Sequence, residues 1–523
     1  MLLSIKDMNI EQKLGMLFCA RIFNELNDDD MDFTIEMIKN HSLGSVQLPA
    51  NRRDIIEKVI SAADYPILVF NDTEMGFPTS DLPKIPLMAL AACDKEEYYS
   101  AFAKAIVSEA KACGYNGTWG PVIDILRCDG PCRVYRHLGD TPEKVSKAAE
   151  VIADVYRRNH YLSTGKHYPG AHTSWFDSHM TEGVSDATEE EIVNFDLVPY
   201  LDLMKKGLLP CVMTSHNVIK NIDPKYPASL SKKVIDLLRD RGYDGLIFTD
   251  SFAMMGILHK FGEKNIYGMA IAAGNDIVLP NFRHSMRESY NMLLQNYRDG
   301  AIPDERINDA VRHVLAAQAY VAKKPEEPTI FTEQDKIMLE SVARDCVSAI
   351  TDEGITAKLD GDNDEKLFII VTENNFDPKN DDPETNVSKW YYPERIAKRI
   401  EEDFPGAAVE FLPEFSDEYD NDRVLSRAIE YKEVIFVSFC TTTSYLGTDS
   451  LTKRTEAVAN CLIHSKKISA FVHFGNPYAM QQIYHVPRLI LGYMIPDSQL
   501  YAIDALAGII EPKGTVPYDI KFN

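Results

Sequence analysis

The sequence predicts an α/β chain: a (β/α)8 TIM-type barrel followed by a smaller three-layer α/β sandwich domain. Three observations carry that reading. Eight short β-rich runs alternate with longer stretches of helical periodicity in the first part of the chain, a polar segment with two prolines then interrupts the alternation, and apolar strands separated by helical stretches resume beyond it. The eight runs are Met16–Ile22, Ser45–Leu48, Pro66–Phe70, Tyr115–Trp119, Tyr161–Thr164, Cys211–Thr214, Leu246–Thr249 and Asp276–Leu279. Helical candidates such as Glu96–Ala112 and Pro142–Arg157 lie between them, as crossovers joining parallel strands must, and an amphipathic helix near Asp304–Val321 ends the series. The first domain therefore spans residues 1–323. The run Lys323-Lys324-Pro325-Glu326-Glu327-Pro328-Thr329 cannot continue a helix through its prolines, which puts a linker at 324–332. In the second domain, 333–523, strands are expected at Leu367–Val371, Val434–Phe439, Ile468–His473 and Leu489–Tyr493, with an acidic loop around Asp377–Glu384. No short internal repeat or low-complexity tract points to a solenoid.

Composition narrows the partners. With 55 Lys plus Arg against 79 Asp plus Glu, the 523-residue chain carries a formal charge of −24, which repels phosphate backbones and anionic lipid and argues against nucleic acid and membrane partners. No stretch reaches the ~18 consecutive apolar residues of a membrane helix, and the start MLLSIKDMNIEQK lacks a basic segment followed by an apolar one. A soluble, cytoplasmic protein is expected. The nine cysteines are odd in number and scattered, as thiols in a reducing compartment are. Cys128 and Cys132 form the one close pair, with His137 nearby, but the four-ligand pattern of structural zinc is missing. Packing accounts for them, and no metal is expected.

In such barrels the working groups follow the carboxyl ends of strands. That rule selects Asn71-Asp72-Thr73-Glu74 after the third run, Asp124 after the fourth, Lys166-His167 after the fifth, His216 after the sixth and Asp250 after the seventh. A charged residue after a strand is most often a helix cap or a rim ion pair, so each alone says little. Several strands in agreement say more. A carboxylate and an acid/base group around one pocket suit glycoside hydrolysis, in which one attacks the sugar carbon and the other protonates the leaving oxygen. Asp250, ending the apolar run GLIFTD, and His179, in Asp177-Ser178-His179, are the candidates; their ordinary readings are a helix N-cap and a surface turn.

Lys166-His167-Tyr168-Pro169-Gly170 followed by Asp177-Ser178-His179 resembles the KHFPG…DSH motif of glycoside hydrolase family three, with the spacing of its β-N-acetylglucosaminidase branch. Matching segments run in order through Gly120-Pro121-Val122-Ile123-Asp124, Arg136-His137-Leu138-Gly139-Asp140, Val212-Met213-Thr214-Ser215-His216, Pro227-Ala228-Ser229-Leu230-Ser231 and Phe248-Thr249-Asp250-Ser251-Phe252-Ala253-Met254. His473-Phe474-Gly475-Asn476-Pro477-Tyr478 and Gly514-Thr515-Val516-Pro517 resemble the family's C-terminal domain. The resemblance implies that Asp250 is the nucleophile, His179 the general acid/base and Asp177 its orienting carboxylate. It also implies that Asp72, Arg136, Lys166 and His167 grip the sugar. The implied enzyme is a retaining exo-β-glycosidase releasing terminal β-linked N-acetylglucosamine from a small carbohydrate substrate, without cofactor.

Three departures accompany the match. Pro169-Gly170-Ala171-His172-Thr173-Ser174 replaces the family's PGHGDT with something stiffer, and Asp72-Thr73-Glu74-Met75-Gly76 lacks a glycine of the D-E-G-G signature. Ser80 stands near the place of an expected arginine, while Trp175 and Phe176 before the dyad suit either sugar stacking or loop anchoring. A histidine acid/base places no second negative charge beside the covalent intermediate, so a phosphate acceptor is repelled less and a glycoside phosphorylase is the alternative. Another β-glycoside specificity and a catalytically silent sugar-binding relative complete the alternatives.

Overall fold

Short apolar runs covered on both faces form parallel strands, and the described residues of the first part supply eight of them in two four-stranded sheets, beside a short parallel pair of Val184–Ser185 with Val218–Ile219. The computed structural model describes residues 2–22, 28–127, 134–170, 177–374, 390–440 and 450–522. The chain forms two compact units, one of residues 1–82, 99–130 and 137–336, the other of 83–98, 131–136 and 337–523.

In the first unit, β1 (Cys19–Arg21), β2 (Ser45–Gln47), β3 (Leu68–Asn71) and β4 (Gly117–Thr118) pair in chain order as one parallel sheet. A second parallel sheet holds β5 (Thr164–Tyr168), β6 (Cys211–Thr214), β7 (Leu246–Ser251) and β8 (Ile277–Leu279), also neighbouring in that order. Single bridges join the sheets at both edges, Phe18 with Val278 and Gly117 with Leu162. The Val278 N–H donates to the Leu17 carbonyl and the Thr118 N–H to that of Leu162, both at 2.9 Å. Phe70 of β3 meets Phe248 of β7 edge-on at 5.0 Å and stacks on Trp119, so aromatic side chains from the two sheets fill the space between them.

The connecting helices form for identifiable reasons. In Pro142–Arg158 the Thr141 hydroxyl accepts from the Lys144 N–H, proline occupies the first turn where its missing N–H does no harm, and Arg157 and Arg158 meet the negative end of the helix dipole. Val145, Ala148, Ala149, Ile152, Val155 and Tyr156 recur at helical spacing and are buried. Burial of Ile152 alone is worth about 1.5–3 kcal/mol, and an aspartate there would break the helix's docking.

Two strands that carry candidate residues run past their sequence-expected ends. β5 continues through Lys166 and His167, and β7 through Asp250, so these polar residues sit in strand termini rather than after them. Helices Glu96–Ala112 and Asp304–Val321 match expectation, and the described residues between Val321 and Glu333 carry neither helix nor strand. Cys128, Cys132, the acidic loop Asp377–Glu384, Ala171–Ser174, Trp175 and Phe176 lie outside the described residues. Among the described residues no helix is long and apolar enough to cross a membrane.

The second unit is built on a six-stranded sheet of β9 (Ser348–Thr351), β10 (Lys366–Thr372), β11 (Ala408–Pro413), β12 (Glu433–Phe439), β13 (Ile468–Phe474) and β14 (Arg488–Gly492), ordered β9-β14-β13-β12-β10-β11. Only β9 is antiparallel to its neighbour. β9 and β11 escaped the sequence reading because both are edge strands with half-exposed side chains, which blurs the apolar run. Residues 83–98 join this unit although they precede most of the first: the Tyr98 hydroxyl donates to Asp345 at 2.6 Å and the Thr515 N–H to the Ala92 carbonyl.

A buried charge cluster ties β7 and β8 together at their amino ends. Asp276 accepts from the Ile247 N–H at 2.9 Å and from Arg239 at 2.8 Å, and it also holds Arg306 and His313. Burial pushes its carboxyl up, but His313, Arg239 and Arg306 outweigh burial and hold it below the usual range. Such a depressed carboxyl adds stability above the ordinary carboxylate range and loses it as pH falls through its own titration. Asp276→Asn should therefore cost about 3–5 kcal/mol at pH 7 by stranding buried cations, and the deficit should narrow in urea titrations carried from pH 7 down to 3.

Candidate active site

The ladder between β5 and β6 pairs Lys166 with Met213 and Tyr168 with Thr214, leaving His167 as an extra residue. Such a bulge re-aims side chains. Consecutive residues here both find carboxylates. The Lys166 ammonium, only 3% exposed, lies 2.9 Å from Asp72 and 2.5 Å from Glu74, both just beyond β3. A buried ammonium requires such partners, since desolvation alone costs several kcal/mol.

His167 is held by Asp124. Its N–H donates to Oδ1 at 2.7 Å and its Nδ1 lies 2.8 Å from Oδ2, while Nε2 faces Asp250 Oδ2 at 4.0 Å. Asp250 Oδ1 accepts the Ser251 N–H at 2.6 Å. Burial pushes the Asp250 carboxyl up, but His167, His216, the Ser251 N–H and His179 together prevail and hold it at about 2. It is a carboxylate throughout the working pH range.

The same end of the sheets gathers two groups outside the expected sugar-binding set. His216 lies flat on Phe252 at 5.3 Å, with Nδ1 2.8 Å from the Ser229 hydroxyl and Nε2 3.0 Å from the Ser251 carbonyl. Burial pushes its imidazole below the ordinary histidine value, which favours the neutral ring. Arg21, the last residue of β1, donates to the Ser251 hydroxyl at 2.6 Å and to Gln47 at 2.7 Å. Burial lowers its pKa, and the charges of Asp72 and Asp250 act against that. Sequence reasoning missed Arg21 because the apolar run was drawn on to Ile22; the strand-end rule selects it once β1 is known to stop at Arg21.

His179 and Asp177 form a local dyad. Asp177 Oδ1 accepts the His179 N–H at 2.9 Å and lies 2.7 Å from Nδ1, which fixes the direction of the ring. The turn is docked on the helix Met255–Phe261 that follows β7, for the Met255 N–H donates to the His179 carbonyl at 3.0 Å. Gly256 permits this approach: a Cβ there would stand 2.4 Å from the Thr181 carbonyl oxygen and 2.7 Å from that of Ser178. The His179 turn and the Asp250 strand are thereby one packed piece.

Among the expected residues, Asp72, Lys166, His167, Asp177, His179 and Asp250 thus belong to the first unit. Arg136 ends the helical turn Val134–Arg136 of the second unit and is not among the groups the first unit brings together. The Ser80 hydroxyl donates to Glu109 at 2.6 Å. No group of three or more potential metal ligands occurs among the described residues.

Comparison with known proteins adds the chemistry's lineage. The family model of the glycosyl hydrolase family 3 N-terminal domain matches residues 9–317. A β-N-acetylglucosaminidase/β-glucosidase of Cellulomonas fimi is 26% identical over 340 residues, covering 60% of this chain and 58% of that protein. The chain thus spans under two thirds of that relative's length. A family 3 β-N-acetylglucosaminidase from a Paenibacillus species shares the fold with TM-score 0.78 at 21% identity, over 99% of this chain and all of that one. A β-glucoside phosphorylase does so with TM-score 0.80 at 22% identity, over 98% and 95%.

The packing at Gly256 gives a test. Gly256→Ala should push the Asp177–Thr181 turn off its helix at a cost of about 1–3 kcal/mol, seen as a lower melting temperature and faster hydrogen exchange at the Met255 amide.

Proposed function

The chain belongs to glycoside hydrolase family 3, and from that premise we propose that it is a retaining exo-β-glycosidase acting on terminal β-linked N-acetylglucosamine. One observation carries the proposal: a carboxylate held ionised at the end of β7 shares its surroundings with a His–Asp dyad docked on the following helix. In this reading Asp250 attacks the anomeric carbon while the His179 Nε2–H gives its proton to the leaving oxygen, so the glycosidic bond breaks as the glycosyl–aspartate ester forms. His179 then takes a proton from water, whose oxygen attacks the same carbon and releases Asp250 as a carboxylate. Asp177 fixes the Nδ1–H and steadies the imidazolium that gives the first proton and is restored by the second step, the ring being neutral between them.

Asp72, Lys166 and His167 serve the sugar's hydroxyls as acceptor and donors. The two bridged four-stranded sheets are read as one closed (β/α)8 barrel within residues 1–323, and 333–523 as the α/β sandwich. Neither metal nor organic cofactor takes part in the proposed steps.

The neutral acid/base also supports a second reading, phosphorolysis. With histidine in place of a second carboxylate, a phosphate dianion approaching the intermediate meets less repulsion. Nitrophenyl β-N-acetylglucosaminide and β-glucoside, each assayed with and without phosphate, separate the readings. Cleavage of the N-acetyl substrate without phosphate dependence supports the first, phosphate stimulation with formation of a sugar 1-phosphate supports the second, and silence on both overturns them.

Asp250→Ala should lower turnover by about 10⁴-fold or more with an unchanged circular dichroism spectrum; substantial residual activity would remove the nucleophile assignment. His179→Ala should cost about 10²–10⁴-fold on alkyl glycosides and far less on dinitrophenyl glycosides, whose leaving group needs no proton. Since Asp250 is held at about 2, the basic limb of kcat/KM belongs to the acid and should disappear in His179→Ala, as a pH series will read out.

A further inference from the structure

We propose that Asp124 is a positioning residue that keeps the His167 ring a cation facing Asp250, and so makes the Asp250 carboxylate a good leaving group in the second step of the reaction. The inference rests on the reading of Asp250 as nucleophile. Asp124, 2% exposed, reaches His167 with both oxygens, Oδ1 accepting the backbone N–H at 2.7 Å and Oδ2 lying 2.8 Å from Nδ1. The segment carrying it is fixed to β5, since Val122 bridges Lys166 and the Ile123 N–H donates to the Lys166 carbonyl at 2.9 Å. The ring is thereby locked in plane and direction, with Nε2 4.0 Å from Asp250 Oδ2.

A neutral ring whose Nδ1–H served Asp124 would aim a lone pair at the Asp250 carboxylate. A cation aims an N–H, and two flanking carboxylates favour it. Among the described residues, the other charged and titratable groups near Asp250 have partners of their own: His216 with Ser229 and the Ser251 carbonyl, His179 with Asp177, Arg21 with the Ser251 hydroxyl and Gln47, and Lys166 with Asp72 and Glu74. Among the described residues His167 brings its ring nitrogen to 4.0 Å from the carboxylate.

A cation beside a carboxylate stabilises the anion, so it favours the anion's departure from an ester more than its attack on a glycoside. When water attacks the anomeric carbon, the ester bond to Asp250 breaks and its electron pair returns to the oxygen facing Nε2. Asp124 maintains the charge that receives it, at a distance from the sugar.

Two measurements test this. In 15N-histidine NMR at pH 7, with the signal assigned by its loss in His167→Gln, His167 should be an imidazolium in the wild type and neutral in Asp124→Asn; a neutral ring in the wild type would overturn the proposal. In stopped-flow assays with dinitrophenyl glycoside, Asp124→Asn should show a burst of phenol, kcat lowered about tenfold or more, a lower KM and kcat/KM nearly unchanged near pH 7, with its acid limb moved toward neutral pH. Equal losses in kcat and kcat/KM at every pH, without a burst, would mean that Asp124 merely supports the fold and would overturn it. If the wild type cleaves no glycoside, the functional reading fails, and the first measurement still decides whether Asp124 holds His167 charged.

Discussion

One extra residue in β5 governs the arrangement of charge. In a regular strand neighbouring side chains point to opposite faces, so Lys166 and His167 could not both turn to acceptors beyond β3 and β4. The bulge at His167 allows it, and each cation then meets carboxylates that earlier strands deliver: Asp72 and Glu74 for Lys166, Asp124 for His167. Remove that bulge and His167 no longer faces Asp250. Part of what lowers the Asp250 carboxyl pKa, the charge of His167, thus depends on ladder register in a different strand.

The cost of this assembly is borne by packing. Lys166, His167, Asp124, Asp177 and His216 are all nine-tenths or more buried, and none would stay ionised or correctly oriented in an apolar surround without its partner. Phe70, Trp119 and Phe248 supply the apolar mass that offsets this, and the Asp276 cluster clamps the opposite ends of β7 and β8. The two charge clusters differ in kind. Around Asp276 the carboxylate is saturated by Ile247, Arg239, Arg306 and His313, which suits a fastener. Asp250 accepts one backbone hydrogen bond and otherwise feels charges at a distance, which suits the nucleophilic role proposed for it.

Much of this was legible in the sequence, and the reasons differ by residue. Asp250 and Asp72 were selected because each lies at the end of an unbroken apolar run, where alternation stops and a polar side chain must face the rim. Helix Glu96–Ala112 was legible because its apolar spacing persists over four turns. β9 and β11 were not, since an edge strand needs few apolar side chains, and the membership of residues 83–98 in the second unit has no local signature at all. Arg21 was hidden by a boundary error of a single residue, for a cation inside a run reads as an interruption while the same cation at its end reads as function. The pairing of His167 with Asp124 depends on a bulge, and bulges leave no mark in periodicity.

The position of the Asp177–His179 pair follows from a different economy. Asp177 and His179 are two residues apart, so the orienting hydrogen bond is made within one turn and needs no second strand to supply it. What such a turn lacks is an anchor, and Gly256 with the Met255 N–H provides one directly on the helix that follows Asp250. The path from His179 to Asp250 then runs through a single strand–helix connection, Ser251 to Met255. In the proposed reaction both steps need the distance between these two residues fixed, because the same imidazole must reach the departing oxygen and later the attacking water on one face of the same carbon. A close contact that tolerates no Cβ fixes it more firmly than a flexible loop could, which is why a glycine outside the reacting set belongs to the working geometry.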